Sequence, residues 1–151
     1  YKGMELPLDN GILLIVGDNA EIRLPTEWEW QWVAQNGDEN RAYPWGDWQE
    51  GYANTSEAGL NRTTAVGMYP HGQAVFGVLD MSGNLREWCL NDYGNPEVTD
   101  GFGNEDSKVL RGGSFYFISL NARASYRDTS NPNNGYYFVG CRLVLSPILR
   151  L

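Results

Sequence analysis

Only one stretch of this chain opens like a helix, and little that follows could continue one. Leu24-Pro-Thr-Glu-Trp-Glu29 places a threonine at the cap position and a glutamate three residues on, the pattern of a reciprocal capping box. Trp28, Trp32 and Val33 then share one helical face, and Asn36-Gly37 supplies the stop. From residue 38 onward glycine, proline, asparagine and aspartate recur between short aromatic segments. With 18 Gly, 7 Pro, 6 Trp, 9 Tyr and 5 Phe in 151 residues, such a chain must pack its aromatics under long loops around few strands. Strands are expected at 12–16, 75–79, 85–90, 109–111 and 139–145. The expected class is α+β, loop-rich, with a small antiparallel sheet and few helices.

Charge excludes several partners. Nineteen acidic and 11 basic side chains give a net charge of -8, and the basic ones form no stripe that could neutralise phosphates, so neither nucleic acid nor an anionic membrane is an expected partner. The longest apolar run, 12–16, is too short to span a bilayer, so direct membrane insertion is not expected. Residues 1–22 read as an incomplete beginning, and no targeting signal is visible. Without repeat or linker, residues 1–151 read as one domain. Cys89 and Cys141 are expected to be two separate buried thiols, with a single disulfide as the alternative. The lone His71 excludes a three-histidine metal site.

Several collinear segments carry a resemblance. They are Arg23-Leu-Pro-Thr-Glu-Trp-Glu-Trp30, Tyr43-Pro-Trp-Gly-Asp47, Ala53-Asn54 and Thr63-Thr-Ala-Val-Gly67. They continue with Phe76-Gly-Val-Leu-Asp-Met-Ser-Gly-Asn-Leu-Arg-Glu-Trp-Cys89, Val109-Leu-Arg-Gly-Gly-Ser-Phe115 and Val139-Gly-Cys-Arg-Leu-Val144. Over residues 23–145 the chain resembles the formylglycine-generating enzyme and sulfatase-modifying-factor family. The resemblance implies a C-type-lectin-like fold of the formylglycine-generating-enzyme type, with Trp28, Trp45 and Trp88 as core anchors.

The family enzyme oxidises a sulfatase cysteine through a copper-binding cysteine pair. The matching positions fall near Ser119 and Ala124, which offer no soft thiolate ligand, so no copper and no such catalysis are expected. Cys141 stands where the family has an aromatic, in a strand expected to be buried. An iron-dependent branch of the family needs three histidines, and the chain has one. An oxidase of the formylglycine-generating type, active or degenerate, acting on a cysteine peptide, is the alternative reading.

The stretch from Phe115 to Phe138 mixes tyrosine with Ser, Asn and Gly, the composition of antibody-like contact loops. It resembles the C-terminal region of the variable proteins of diversity-generating retroelements, whose mutagenesis acts at template adenines. Tyr126, Asp128, Thr129, Ser130, Asn131, Tyr136, Tyr137 and Phe138 are all reachable from an asparagine codon by changing its adenines. Together with Tyr116, Ile118 and Ser119 they form the expected ligand-binding set, on loops over 115–138. Exposure is expected for Tyr116, Ile118, Tyr126, Tyr136, Tyr137 and Phe138, and burial for Phe115 and Val139. The expected partner is a protein or other cell-surface macromolecule, with a glycan as a variant, and the expected location is a cell surface or virion.

The resemblance also implies a structural calcium at Asp80-Met-Ser-Gly-Asn-Leu-Arg-Glu87, held by the side chains of Asp80 and Glu87 and the carbonyls of Gly83 and Leu85. A first family calcium site would draw on Asn54, Thr55 and Glu57.

Overall fold

In the computed structural model, which describes residues 2–99 and 107–148, Thr26 caps helix α1, Glu27–Ala34. Its hydroxyl accepts from the Glu29 N–H at 3.3 Å while the Glu29 carboxylate accepts from the Thr26 N–H at 2.8 Å, so the expected capping box is formed. The helix buries Glu27, Trp30 and Ala34, three positions on one stripe. Trp30 is 1% exposed whereas Trp28 and Trp32 are each 49% exposed. The expected inward face was therefore out of phase: the Trp28–Trp32 pair looks outward, and Trp28 is not a core anchor. Trp45 and Trp88 are half-buried.

The chain divides into two compact units, Pro25–Cys141 and a smaller one made of Tyr1–Leu24 with Arg142–Leu151. In the smaller unit, β1 (Glu5–Pro7) pairs antiparallel with β2 (Leu13–Ile15), and β3 (Ala20–Arg23) pairs antiparallel with β8 (Val144–Pro147). The expected strand at 139–145 is thus two strands, and its second part belongs to this unit.

The larger unit holds a four-stranded sheet in the order β6-β5-β4-β7, formed by Asp128–Ser130, Lys108–Arg111, Arg86–Asp92 and Val139–Gly140. β4 runs antiparallel to β5 and parallel to β7, where Arg86 pairs with Val139 and Glu87 with Gly140. Alternation along β4 assigns Glu87 and Cys89 to the helix side. There Cys89 and Val109 meet Trp30, Ala34, Met81 and Ala124 in the core. Burial of an indole requires an acceptor for its N–H, and Glu87 Oε2 accepts from Trp30 Nε1 at 2.7 Å. The α+β, loop-rich, C-type-lectin-like class holds.

The expected strand at 75–79 is a turn. Gly77 adopts φ +76°, its N–H donates to the Ala74 carbonyl, and the Ala74 N–H donates to Val78, which closes the segment on itself. Phe76 is left exposed and stacks on Trp32 with ring centroids 4.9 Å apart.

Candidate functional site

The late aromatic stretch is held at three places. The first is Arg111, at the end of β5. Its guanidinium, 5.4 Å from the Trp30 ring, donates to the carbonyls of Ala124 at 2.8 Å and Tyr126 at 2.9 Å, and also to Gln31. A planar fork with five donors suits this convergence of carbonyls, and it fixes the backbone entering the 126–138 region. Gly113 follows with φ +67°; a Cβ there would lie 2.9 Å from the backbone of Ala122, so the chain passes too closely for any side chain.

The second is the 55–57 segment. Glu57 Oε1 accepts from the Ser119 N–H at 2.7 Å, and the Ser56 N–H donates to the Phe117 carbonyl at 3.0 Å. The Tyr43 hydroxyl donates to the Ser119 carbonyl at 3.1 Å. Burial opposes charge on Glu57, but hydrogen bonding, led by the Ser119 N–H, outweighs it and holds the carboxyl down to about 2.

The third is Arg86, at the start of β4. Its N–H donates to the Phe138 carbonyl at 3.0 Å, and its guanidinium lies 3.5 Å from the Phe117 ring centroid and 5.8 Å from that of Phe138. The same side chain pairs with the Asp128 carboxylate. Burial lowers the Arg86 pKa and the Asp128 charge opposes that shift. Arg86 therefore ties the β6 edge of the sheet to the β7 edge.

On this frame sits a cluster of rings. Phe138 stacks with Tyr136 at 5.0 Å and with Tyr116 at 5.5 Å, and meets Tyr137 edge-on at 5.3 Å. Tyr116 is 56% exposed, Ile118 51%, Tyr136 44% and Tyr137 68%. Phe115 is buried beneath Tyr137, 5.9 Å away, while Phe138, Val139 and Tyr126 are half-buried. The structure thus gathers Tyr116, Tyr136, Tyr137 and Phe138 into one patch. Thr129, Ser130 and Asn131 lie at the β6 edge, separated from β7 by the two central strands, and Ser130 is buried. Ser119 is half-buried and Asp128 faces Arg86, so the eleven expected residues do not form one continuous surface.

The expected calcium turn is a backbone hub. Asp80, Gly83 and Asn84 all have positive φ, and a Cβ on Gly83 would lie 2.6 Å from the Asn54 carbonyl. The Asn84 N–H donates to the Asn54 carbonyl, the Asn84 amide oxygen accepts from the Thr64 N–H at 2.9 Å, and its carbonyl accepts from the Phe115 N–H. Asp80 Oδ2 accepts from the Gly67 N–H at 2.7 Å and Glu87 from Trp30. The donor set of Asp80, Glu87 and the carbonyls of Gly83 and Leu85 is all hard oxygen and fits calcium by chemistry. Among the described residues no group of three or more His, Cys, Asp and Glu gathers to hold a metal, so carbonyls and water would complete the shell. Asn54 Oδ1, in the expected first site, is buried and meets no donor among the described residues.

Cys89 and Cys141 are both free: Cys89 is buried, Cys141 exposed. The expectation of a buried Cys141 fails because β7 ends at Gly140. Burial pushes the Cys89 thiol well up, away from the thiolate. Ala124, near which one of the family's cysteine positions is expected, is buried and bonded through its carbonyl to Arg111. Sequence reasoning passed over Arg86 and Phe117. The available signal was the two-residue alternation along 86–90, which separates Arg86 from Glu87 and Cys89 and sends it to the other face of β4.

Comparison with known proteins supplies the family. A model of the Sulfatase-modifying factor enzyme 1-like domain matches residues 13–147. Hercynine oxygenase of Mycolicibacterium thermoresistibile is 34% identical over 143 residues, covering 82% of this chain and 32% of the relative. Inactive C-alpha-formylglycine-generating enzyme 2 of Bos taurus is 33% identical over 104 residues, covering 62% of this chain and 32% of the relative. The solved Treponema denticola variable protein 1 superposes with a TM-score of 0.70 at 24% identity, over 87% of this chain and 50% of that one. The chain spans about a third of the length of these two curated relatives and half that of the solved neighbour. On the family match and the shared fold, the chain belongs to the family of sulfatase-modifying factor enzyme 1-like domains.

Proposed function

We propose that this chain is a non-catalytic ligand-binding domain, a variable protein diversified by a retroelement, that recognises a macromolecular surface ligand through its loops over 115–138. The observation that carries the reading is the exposure of Tyr116, Ile118, Tyr136 and Tyr137 on backbone pinned by Arg86, Glu57 and Arg111. Rigid, outward aromatics on a fixed frame give contact area at little entropic cost. The likeness in fold to a protein named as variable supports the same reading. Its ligand is a protein or other cell-surface macromolecule, met from a cell surface or a virion.

Sequencing the locus across isolates tests this. Substitutions concentrated at adenines in the codons of 116–138, beside a reverse-transcriptase gene and a near-repeat, are the expected result. Substitutions spread evenly over the loops and the buried core would overturn it.

A structural calcium held by the side chains of Asp80 and Glu87 and the carbonyls of Gly83 and Leu85 belongs to this proposal. It would brace the turn from which Asn84 holds Phe115. Calcium should raise the unfolding temperature of the native chain over an EDTA-treated one, and Asp80→Ala should abolish the difference.

The second reading is an oxidase of the formylglycine-generating type acting on a cysteine peptide, and similarity to a relative named formylglycine-generating enzyme, from Streptomyces coelicolor, favours it. Against it stand Ser119 and Ala124 near the positions expected for the family's thiols, and the burial of Cys89, which pushes its thiol away from ionisation.

A further inference from the structure

Beside the recognition loops lies a cleft of about 370 Å³, lined among others by Trp48, Glu50, Thr55, Glu57, Leu60 and Tyr69. That volume lies within the range of small-molecule sites. Its aromatic wall is fixed. Trp48 packs against Tyr43 at 5.1 Å and Trp45 at 6.0 Å between ring centroids, and Trp45 meets Tyr52 at 5.5 Å. Its floor is fixed too, because Thr55 is buried and Glu57 is held by the Ser119 N–H.

We propose that this cleft binds an alkylammonium group, of the kind that ends a lysine side chain or a small free amine. The lining carries two carboxylates, Glu50 and Glu57, and no basic side chain. Anions are therefore repelled, and a neutral polar ligand would gain nothing from the charge. Trp48 and Tyr69 line the same space, and aromatic rings attract a cation while tolerating its alkyl chain, as Leu60 does. The site is independent of any ligand at the tyrosine patch, although Glu57 is common to the cleft and to the anchoring of Ser119.

The test uses the full chain, titrated with n-butylammonium chloride and with n-butanol at matched ionic strength. The indole N–H resonance of Trp48, assigned by Trp48→Phe, is followed by NMR. A saturable shift is expected for the ammonium, with n-butanol about tenfold weaker. Glu57→Gln keeps an acceptor for the Ser119 N–H while removing the charge, and should weaken the ammonium about fivefold. Glu50→Gln, which touches no anchoring bond, gives the same direction should the first variant fail to fold. Capped lysine binding as well as n-butylammonium identifies a protein side chain as the source; n-butylammonium binding alone identifies a free amine. Equal binding of alcohol and ammonium, no saturable shift, or indifference to both charge removals would overturn the proposal.

Discussion

The Arg86 guanidinium lies 3.5 Å from the centroid of the Phe117 ring while pairing with Asp128 on another strand. One side chain thus couples the aromatic patch to the far edge of the sheet. Removing it strands a largely buried carboxylate partner and unsupports a ring. Arg86→Met should destabilise the fold by about 2–4 kcal/mol in chemical denaturation, with part of the loss recovered in the Arg86→Met, Asp128→Asn double variant.

Neighbouring aromatics should behave in opposite ways. Tyr137→Ser, at a ring mostly in water, should change stability by about 0.5 kcal/mol or less. Phe115→Ala, directly beneath it, should cost about 3–5 kcal/mol. Urea titration of both variants measures the contrast, and a collapse on Tyr137→Ser would remove the basis of the recognition face.

Glu57 makes a pH prediction whose sign is fixed. Its carboxyl sits at about 2 in the folded chain against an ordinary 4.5, so the folded state favours the ionised form. That contribution is fully present above pH 4.5 and is lost as pH falls through about 2. Glu57→Gln lacks this contribution at every pH, so it should lower stability at neutral pH and flatten the acid limb of the profile in this window. The Ser119 amide shift, followed by NMR, should titrate at the same low pH.

The two thiols should react at different rates. Cys141 is exposed and Cys89 is buried with its thiol pushed away from ionisation. One equivalent of a disulfide reagent should be consumed quickly by the native chain, and the second only on unfolding. Cys141→Ser should abolish the fast phase, whereas two fast equivalents would contradict the burial of Cys89.

Local chemistry was the legible part of the sequence. The capping box rests on residues within a few positions of one another, and the fold family on short motifs of the same kind, each readable locally and in order along the chain. Helix phase was not legible, because three tryptophans at 28, 30 and 32 offer two faces, and the choice rests on Glu87, an acceptor 57 residues downstream of Trp30. The same holds for Glu27, which reads as a surface helix residue yet is buried against Arg127, 100 positions away. The strand expected at 75–79 failed at Gly77, whose left-handed backbone no apolar run reveals. In the aromatic patch, composition indicated Tyr136 and Tyr137, but only the strand order shows that Thr129 and Ser130 lie elsewhere.

That strand order has a practical consequence for the strap between Ser130 and Val139. It leaves one border of the sheet and re-enters at the opposite one, across three gaps of about 4.8 Å. Because β6 and β7 both run parallel to β4, the strap must also travel back along the strands, from the level of Lys108 and Asp92 to that of Arg86. Its eight residues could reach about 26 Å if fully extended. Part of that length goes into a tight turn in which the Asn134 N–H donates to the Asn131 carbonyl and the Asn133 N–H to the Asn131 side chain. The strap therefore has little length to lose, and deletions in it should pull on the pairing of Val139 with Arg86. A library built on this chain can vary loop composition and add residues, but should not remove them.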